Sequence, residues 1–274
     1  MNLPPLNAAA LLRQHGLRPD KSLGQNFLQD PAALEKIVQA AELCPNDWVL
    51  EIGPGVGSLT RYLAISAQTV IAVELDTSLL PILKTVLAPY PNTHIIEGNI
   101  LHVSPATLSL PEGYLVVANI PYYITSAIFR HLLETPPRPR RIVLTIQKEV
   151  AQRICAAPGE MSLLALSVQV YGQPRLVAHI PAGAFYPAPK VDSAVIRVDL
   201  YPQPLIDLPR LERFFQLARA GFSQKRKTLR NSLSAGLKIS ANEATQLLKR
   251  AGLDPMRRAE TLSIEEWRML TERE

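Results

Sequence analysis

The sequence predicts an α/β protein: a mostly parallel sheet with one antiparallel strand, covered by helices, and a small all-helical unit after it. Three observations carry this. Short apolar runs rich in Val, Ile and Leu alternate with segments of helical apolar spacing, the pattern of strands buried on both faces. Past Tyr201-Pro-Gln-Pro204 the strand-like runs stop and only helical spacing remains. The chain has 274 residues, enough for one large core and a smaller second one.

Each element follows from local pattern. Residues 1–30 are polar and punctuated by Pro and Gly, ending in Leu23-Gly-Gln-Asn-Phe-Leu28. Pro31–Leu43 predicts a helix. Leu34, Ile37, Val38 and Ala41 fall on one face, Asp30 suits the N-cap, and Pro31 suits the first helical position. Trp48–Ile52 predicts a buried strand, followed by a Gly-rich turn and a helix from Ser58. Thr69–Val73 predicts a second strand, with a helix running to Leu87. Thr93–Glu97 and Tyr114–Asn119 predict the third and fourth. Ser126–Leu133 predicts a helix and Arg141–Ile146 a fifth strand. Lys148–Ala156 and Met161–Tyr171 have helical spacing. Arg175–Ile180 and Val191–Leu200 predict two more strands with no clear helix between them, so one is expected to run antiparallel. Residues 201–206 form the expected linker. Beyond it, Leu208–Ala220, Gln224–Leu233, Asn242–Ala251 and Ile264–Thr271 predict helices. The expected division is a segment 1–30, a larger domain 31–203 and a helical unit 204–274.

Composition narrows the function. The two cysteines, Cys44 and Cys155, lie far apart with no His/Cys cluster beside them. Neither a disulfide framework nor a zinc site is expected, and a reducing cytoplasm is. The apolar stretch Ala8–Leu12 is cut off by Arg13, so no signal peptide is expected, and no run approaches the ~18 apolar residues of a membrane span. The net charge of +5 is unevenly placed. Residues 1–206 carry 15 Lys/Arg and 15 Asp/Glu, whereas residues 207–274 carry 14 and 9. No acid lies between Glu212 and Glu243, a window holding Arg213, Arg219, Lys225, Arg226, Lys227, Arg230 and Lys238. A like-charge block can be no more than a solvated face. Here Phe214, Phe215, Leu217, Phe222, Leu229 and Leu233 interleave at roughly helical spacing. The reading is a packed amphipathic helix presenting a basic side to phosphates.

Two sites of chemistry stand out. Glu51-Ile-Gly53-Pro-Gly55-Val-Gly57 sits at a strand-to-helix turn, where glycines let the backbone approach a ligand. A dinucleotide fingerprint would need Gly or Ala where Ser58 or Thr60 stands, so that reading fails at its last member. Glu74 ends the second strand and could accept both hydroxyls of a ribose. Asp76 beside it could instead cap the next helix. Asn119-Ile-Pro-Tyr122 ends the fourth strand. It offers an amide, a peptide carbonyl next to a proline, and an aromatic ring. Two such oxygens can accept both N–H bonds of an exocyclic aromatic amine and aim its lone pair. Pro121 stiffens the turn and Tyr122 offers a stacking face. A plain Pro turn after a buried strand is the structural alternative.

Taken jointly, the motifs resemble the ribosomal RNA adenine dimethyltransferases, and within them the bacterial group acting on the small subunit. The resemblance covers nearly the whole chain. Lys21-Ser-Leu-Gly-Gln-Asn-Phe-Leu28 resembles the N-terminal motif, which implies that Asn26 and Leu28 touch the cofactor. Gly53, Gly55 and Glu74 take the loop and ribose positions, and Asn119–Tyr122 match the catalytic tetrapeptide. Gln147-Lys-Glu149 resembles the segment after the fifth strand. Ala184-Phe-Tyr-Pro-Ala-Pro-Lys-Val-Asp-Ser193 resembles the proline-rich loop, where Phe185 would help sandwich the target base. Phe222–Leu233 and Arg258-Ala-Glu260 resemble C-terminal segments of the group. One position departs: Asn99 stands where the family usually has Asp to accept the adenine amine of the cofactor, which implies weaker cofactor binding. The tetrapeptide continues with Tyr123 where some relatives have Asn.

The resemblance implies a Rossmann-like methyltransferase sheet that binds S-adenosyl-L-methionine. It implies methyl transfer to two adjacent adenines near the 3′ end of 16S rRNA in the small subunit or its precursor, each methylated twice. Asn119, Ile120, Pro121, Tyr122 and Phe185 would form the catalytic pocket, with Asn119 also near the cofactor. Arg219, Lys225, Arg226, Lys227 and Arg230 would bind RNA. A cytoplasmic monomer without metal or membrane attachment is expected. The rival classes are an RNA-binding assembly factor, a nicotinamide oxidoreductase, and a methylase of large-subunit rRNA or DNA.

Overall fold

The computed structural model describes residues 3–272. Its described residues form two compact units, residues 3–151 with 175–200, and residues 152–174 with 201–272. The linker at 201–206 is therefore one crossing point among several: Gln152–Pro174, which the sequence assigns to the larger domain, packs with the C-terminal helices.

The larger unit is built on a seven-stranded sheet. Its strands are β2 (Trp48–Ile52), β3 (Thr69–Glu74), β4 (Thr93–Glu97), β5 (Leu115–Asn119), β6 (Arg141–Gln147), β7 (Gly172–Ile180) and β9 (Ser193–Leu200), in the order β4-β3-β2-β5-β6-β9-β7. The first five are mutually parallel, with registers such as Val49↔Val70, Val49↔Leu115 and Val116↔Ile142. Strand β9 runs antiparallel to β6, with Gln147 opposite Ser193. The inner strands are buried along their middles, with half-buried residues only at their ends, as their largely apolar runs require.

Strands β2, β3 and β4 step outward in one direction, and β5 then returns to the other side of β2. This reversal opens a crevice at the carboxyl ends of β2 and β5, where ligands bind in open α/β sheets. The Gly-rich turn leaves β2 there and the Asn-Ile-Pro-Tyr segment leaves β5 there.

Helix α2 (Pro31–Ala41) starts as predicted, with the Asp30 side chain accepting from the Ala33 N–H at 3.0 Å. It ends at Glu42, which adopts a left-handed φ of 50°. Two arginines from the sheet take its last carbonyls: Arg197 donates to Ala40 at 2.9 Å and Arg141 to Ala41 at 2.6 Å. Cations at a helix C-terminus satisfy orphan acceptors and the dipole together.

Two features of this unit are absent from the sequence reading. Residues 8–14 form a helix, α1 (Ala8–Gln14), capped by Asn7. Its Ala8 and Leu12 pack with Phe27, Val56, Leu79 and Ile82. Phe27–Leu28 form a short strand, β1, antiparallel to β8 (Phe185–Tyr186), with Leu28 opposite Phe185. The N-terminal motif and the proline-rich loop are thus one two-stranded sheet.

In the second unit the helices are α8 (Leu208–Phe222), α9 (Leu229–Leu237), α10 (Ala241–Arg250) and α11 (Ile264–Glu272). Phe222 stacks on the fully buried Trp267, ring centroids 5.7 Å apart. The segment 152–174 joins through backbone bonds, among them Gly159 and Met161 N–H to the Glu260 carbonyl at 2.8 and 3.1 Å. The expected helix Gln224–Leu233 is corrected. Helix α9 begins only at Leu229, after Thr228 in extended conformation, so Lys225, Arg226 and Lys227 lie on an exposed turn. Among the described residues, no helix is long and apolar enough to cross a membrane, and no His/Cys/Asp/Glu group could hold a metal ion.

Candidate active site

The crevice is a cleft of about 990 Å³, counting its open mouth. It is walled by Leu23–Leu28, the turn Glu51–Val56, the end of β3, residues 98–100, and Asn119–Ile124. Of the residues singled out in the sequence, Asn26, Leu28, Gly53, Gly55, Glu74, Asn99, Asn119, Ile120, Pro121 and Tyr122 all border it. Phe185 does not. It is 4 % exposed and packs in the core with Leu28, its partner across the two-stranded sheet. The five basic residues assigned to RNA belong to the other unit. Arg219 is exposed near the end of α8, the three turn residues follow, and Arg230 is the second residue of α9.

The glycines have separate reasons. Gly53 has φ +67° and nothing within 4 Å of where a Cβ would stand, so it borders open space. Gly55 has φ +61°, and a Cβ there would come within 2.9 Å of the Phe27 ring. The N-terminal motif therefore lies directly on the loop, which only a glycine permits.

Glu74 is 6 % exposed. One carboxylate oxygen accepts from the Gly55 N–H at 3.0 Å and the other from the Asp76 N–H at 2.8 Å. Burial raises its pKa, and these two bonds oppose the rise. Each oxygen keeps a lone pair, so the carboxylate is preset to receive a diol. Asp76 caps the turn Thr77–Leu79 by accepting from the Ser78 N–H at 3.0 Å. Its other oxygen accepts from Gln25 Nε2 at 2.6 Å, and Gln25 Oε1 accepts from the Asp20 N–H at 2.8 Å. Gln25 thus latches the N-terminal motif to the end of β3, a role the sequence did not signal. Glu51 is 1 % exposed, with its Oε2 lacking a hydrogen-bond partner. Burial, with the Glu74 charge added, pushes its pKa up to about 8.

Asn119 Nδ2 donates to the Asn26 carbonyl at 3.0 Å. A carbonyl can only accept, so this bond fixes the amide's orientation and leaves Oδ1 as an acceptor. Pro121, at φ −59°, leads into the turn Tyr122–Ile124. Thr125 Oγ1 donates to the Tyr122 carbonyl at 2.9 Å. The Tyr122 hydroxyl lies 2.6 Å from Ser193 Oγ. Asn99 Oδ1 accepts from the Leu101 N–H at 3.0 Å and caps the next turn. The oxygen expected to serve the cofactor is therefore already engaged by the backbone.

Three stretches far apart in sequence close on one another here. Asn119 joins the N-terminal motif, Leu28 pairs with Phe185 of the proline-rich loop, and that loop's last residue, Ser193, returns to Tyr122.

The sequence profile of a family described as ribosomal RNA adenine dimethylase matches residues 16–273. A ribosomal RNA small subunit methyltransferase A from Dehalococcoides mccartyi is 48% identical over 272 residues, covering 97% of this chain and 93% of its own. One from Alkaliphilus metalliredigens is 42% identical, covering 97% and 96%. Among solved structures, a dimethyladenosine transferase from Plasmodium falciparum superposes with a TM-score of 0.77 at 27% identity, over 89% of this chain and 95% of that one. The 23S rRNA methyltransferase ErmE gives 0.72 at 31% identity, over 90% and 99%.

Proposed function

Because the chain belongs to the ribosomal RNA adenine dimethylase family, and so is an S-adenosylmethionine-dependent methyltransferase, we propose that it dimethylates two adjacent adenines near the 3′ end of 16S rRNA. The observation that carries this reading is the anchored amide of Asn119 in the wall of the cleft. The small-subunit relatives, more similar to the chain than the 23S rRNA enzyme, favour small-subunit RNA over large.

The residues present fit the cofactor. Gly53 leaves open space where the backbone meets the cleft. Glu74 offers a fixed carboxylate for a ribose, and Glu51, with an unpartnered buried Oε2, borders the same cleft. Leu28 and Asn26 would close over it from the N-terminal motif. When bound, S-adenosylmethionine supplies a methyl group on a positively charged sulfur. The rest is positioning and electrostatics. The target adenine leaves its stack to enter the cleft. The ring of Tyr122 holds its face, and Asn119 Oδ1 with the Ile120 carbonyl accepts its amine N–H bonds. The amine turns acidic as it gains the methyl group, so no strong base is needed before attack. Phe185 contributes by backing Leu28. Arg219, Lys225, Arg226, Lys227 and Arg230 bind phosphates of the rRNA. In this reading the enzyme is a cytoplasmic monomer with no metal requirement, which sedimentation and turnover in chelator check.

The deciding experiment combines labelled cofactor with small subunits lacking the modification, followed by nucleoside analysis. Dimethyladenosine in 16S rRNA is the expected product. Label confined to large-subunit RNA, or none in RNA, would overturn the assignment.

A further inference from the structure

Tyr122 begins a turn, Tyr122–Ile124, that contains no buried residue. Tyr122 itself is half-buried, so packing fixes only part of a ring whose plane must match that of an incoming base. The ring's far end is held instead. Its hydroxyl lies 2.6 Å from Ser193 Oγ. Ser193 is wholly buried. It is the first residue of β9, opposite Gln147 of β6, so it moves only with the sheet. Lys148 N–H donates to the carbonyl of the preceding Asp192 at 3.1 Å, which pins the approach to the strand as well. Ser193 does not border the cleft.

We propose that Ser193 is a positioning residue for methyl transfer. Its hydroxyl ties the Tyr122 ring to the sheet and sets the ring plane on which the base stacks, while touching neither base nor cofactor. The proposal rests on the stacking role given to Tyr122 above. It also gives the proline-rich loop a task that its prolines do not explain: the loop reaches from the N-terminal motif at Phe185 to the stacking ring at Ser193. The Tyr122 hydroxyl suits the tether, since burial raises its pKa while the bond to Ser193 opposes the rise. A protonated phenol can donate to the serine oxygen and accept from it equally.

The test compares Ser193→Ala, Ser193→Thr, Tyr122→Phe and the Ser193→Ala/Tyr122→Phe double variant. Losing one tethering hydrogen bond should lower kcat on unmethylated small subunits about three- to tenfold in Ser193→Ala. Tyr122→Phe should match it, and the double variant should be no worse than either, because both remove the same bond. Affinity for S-adenosylhomocysteine should stay unchanged in all four, which a general loosening of the fold would not allow. Ser193→Thr restores the hydroxyl and should recover kcat. Full activity in Ser193→Ala, additive losses in the double variant, or a parallel fall in cofactor affinity would overturn the proposal.

A second readout needs no RNA. The ¹³Cζ resonance of Tyr122, assigned by its disappearance in Tyr122→Phe, should move in Ser193→Ala and return in Ser193→Thr. A resonance that stays put removes the tether whatever the kinetics give. Wild-type enzyme that leaves rRNA unmethylated would instead sink the functional reading, with the tether still decided by the resonance.

Discussion

Asn119 works in one orientation only. The Asn26 carbonyl takes its Nδ2 at 3.0 Å, which leaves Oδ1 for the substrate amine. Asn119→Ala should therefore lower kcat by at least about a hundredfold, while S-adenosylhomocysteine binding, read by calorimetry, stays within about threefold. Asn99 gives the opposite case. Its Oδ1 already caps the turn at Leu101. An aspartate would keep one oxygen on that cap and present a second, charged one to the cleft. Asn99→Asp should tighten cofactor binding about tenfold, and an unchanged Kd would make the departure neutral. Glu51 predicts a pH effect on stability. Its pKa is about 8 in the folded chain against a model-peptide value of 4.5. A carboxyl with a raised folded pKa favours the fold while protonated, and that contribution is lost as pH rises from about 4.5 toward 8. Melting of the ligand-free protein should decline across that window, and Glu51→Gln should flatten the decline. Equal slopes in the two proteins would refute the assignment. Residue types were legible in the sequence, since Asn, Glu and Tyr at strand ends limit what each can do. Their partners were not. Nothing in the order of residues says that the Asn99 oxygen accepts from a backbone N–H, or that Gln25 reaches Asp76, because those bonds depend on how the chain folds around them.

At the scale of elements, the strands were the most legible part. Trp48–Ile52 and Thr93–Glu97 have the predicted bounds. An inner strand such as Trp48–Ile52 needs a largely apolar run, visible without knowing its neighbours, whereas Thr93–Glu97, an edge strand with no buried residue, is marked by its Ile pair between polar residues. Elements with little burial of their own were missed. Helix α1 is short and rests on Val56, Leu79 and Ile82, while β1 exists only because β8 pairs with it. The basic turn was misread for a different reason. Lys and Arg are good helix formers, and Phe222, Leu229 and Leu233 keep a helical period through it, yet the chain leaves the helix at Ser223 and re-enters at Leu229. Helix contacts in that unit are close enough to test directly. A Cβ on Gly236 would lie 2.6 Å from the Ala220 Cα. Helix propensity alone favours Ala over Gly by about 1 kcal/mol. Here the clash is with backbone, so Gly236→Ala should instead destabilise the protein by about 1–3 kcal/mol in chemical denaturation. A stabilised variant would mean that α8 and α9 are not this close.

At the scale of the whole molecule, charge separates two tasks. Residues 1–206 balance their charges, and the excess behind the net +5 lies in residues 207–274. If the exposed turn carries the phosphate contacts, reversing Lys225, Arg226 and Lys227 to Glu should weaken RNA binding for every sequence tested. It should also lower the slope of log K against log salt by about two, at roughly 0.7–0.9 per phosphate contact. A slope equal to wild type would place the contacts elsewhere. Cofactor affinity should not change, since none of the three residues borders the cleft. The closure of the site by three remote stretches has a consequence of another kind, in time. A ribosome making this chain releases Phe27 and Leu28 early and the Gly-rich turn soon after, but their partners Phe185 and Tyr186 emerge only when most of the chain is out. Ser193 comes later still. The nascent chain can fold its central strands while its methyl-transfer site remains open on one side. Competence therefore arrives late in synthesis, as one event, when the loop ending at Ser193 closes on what was made first.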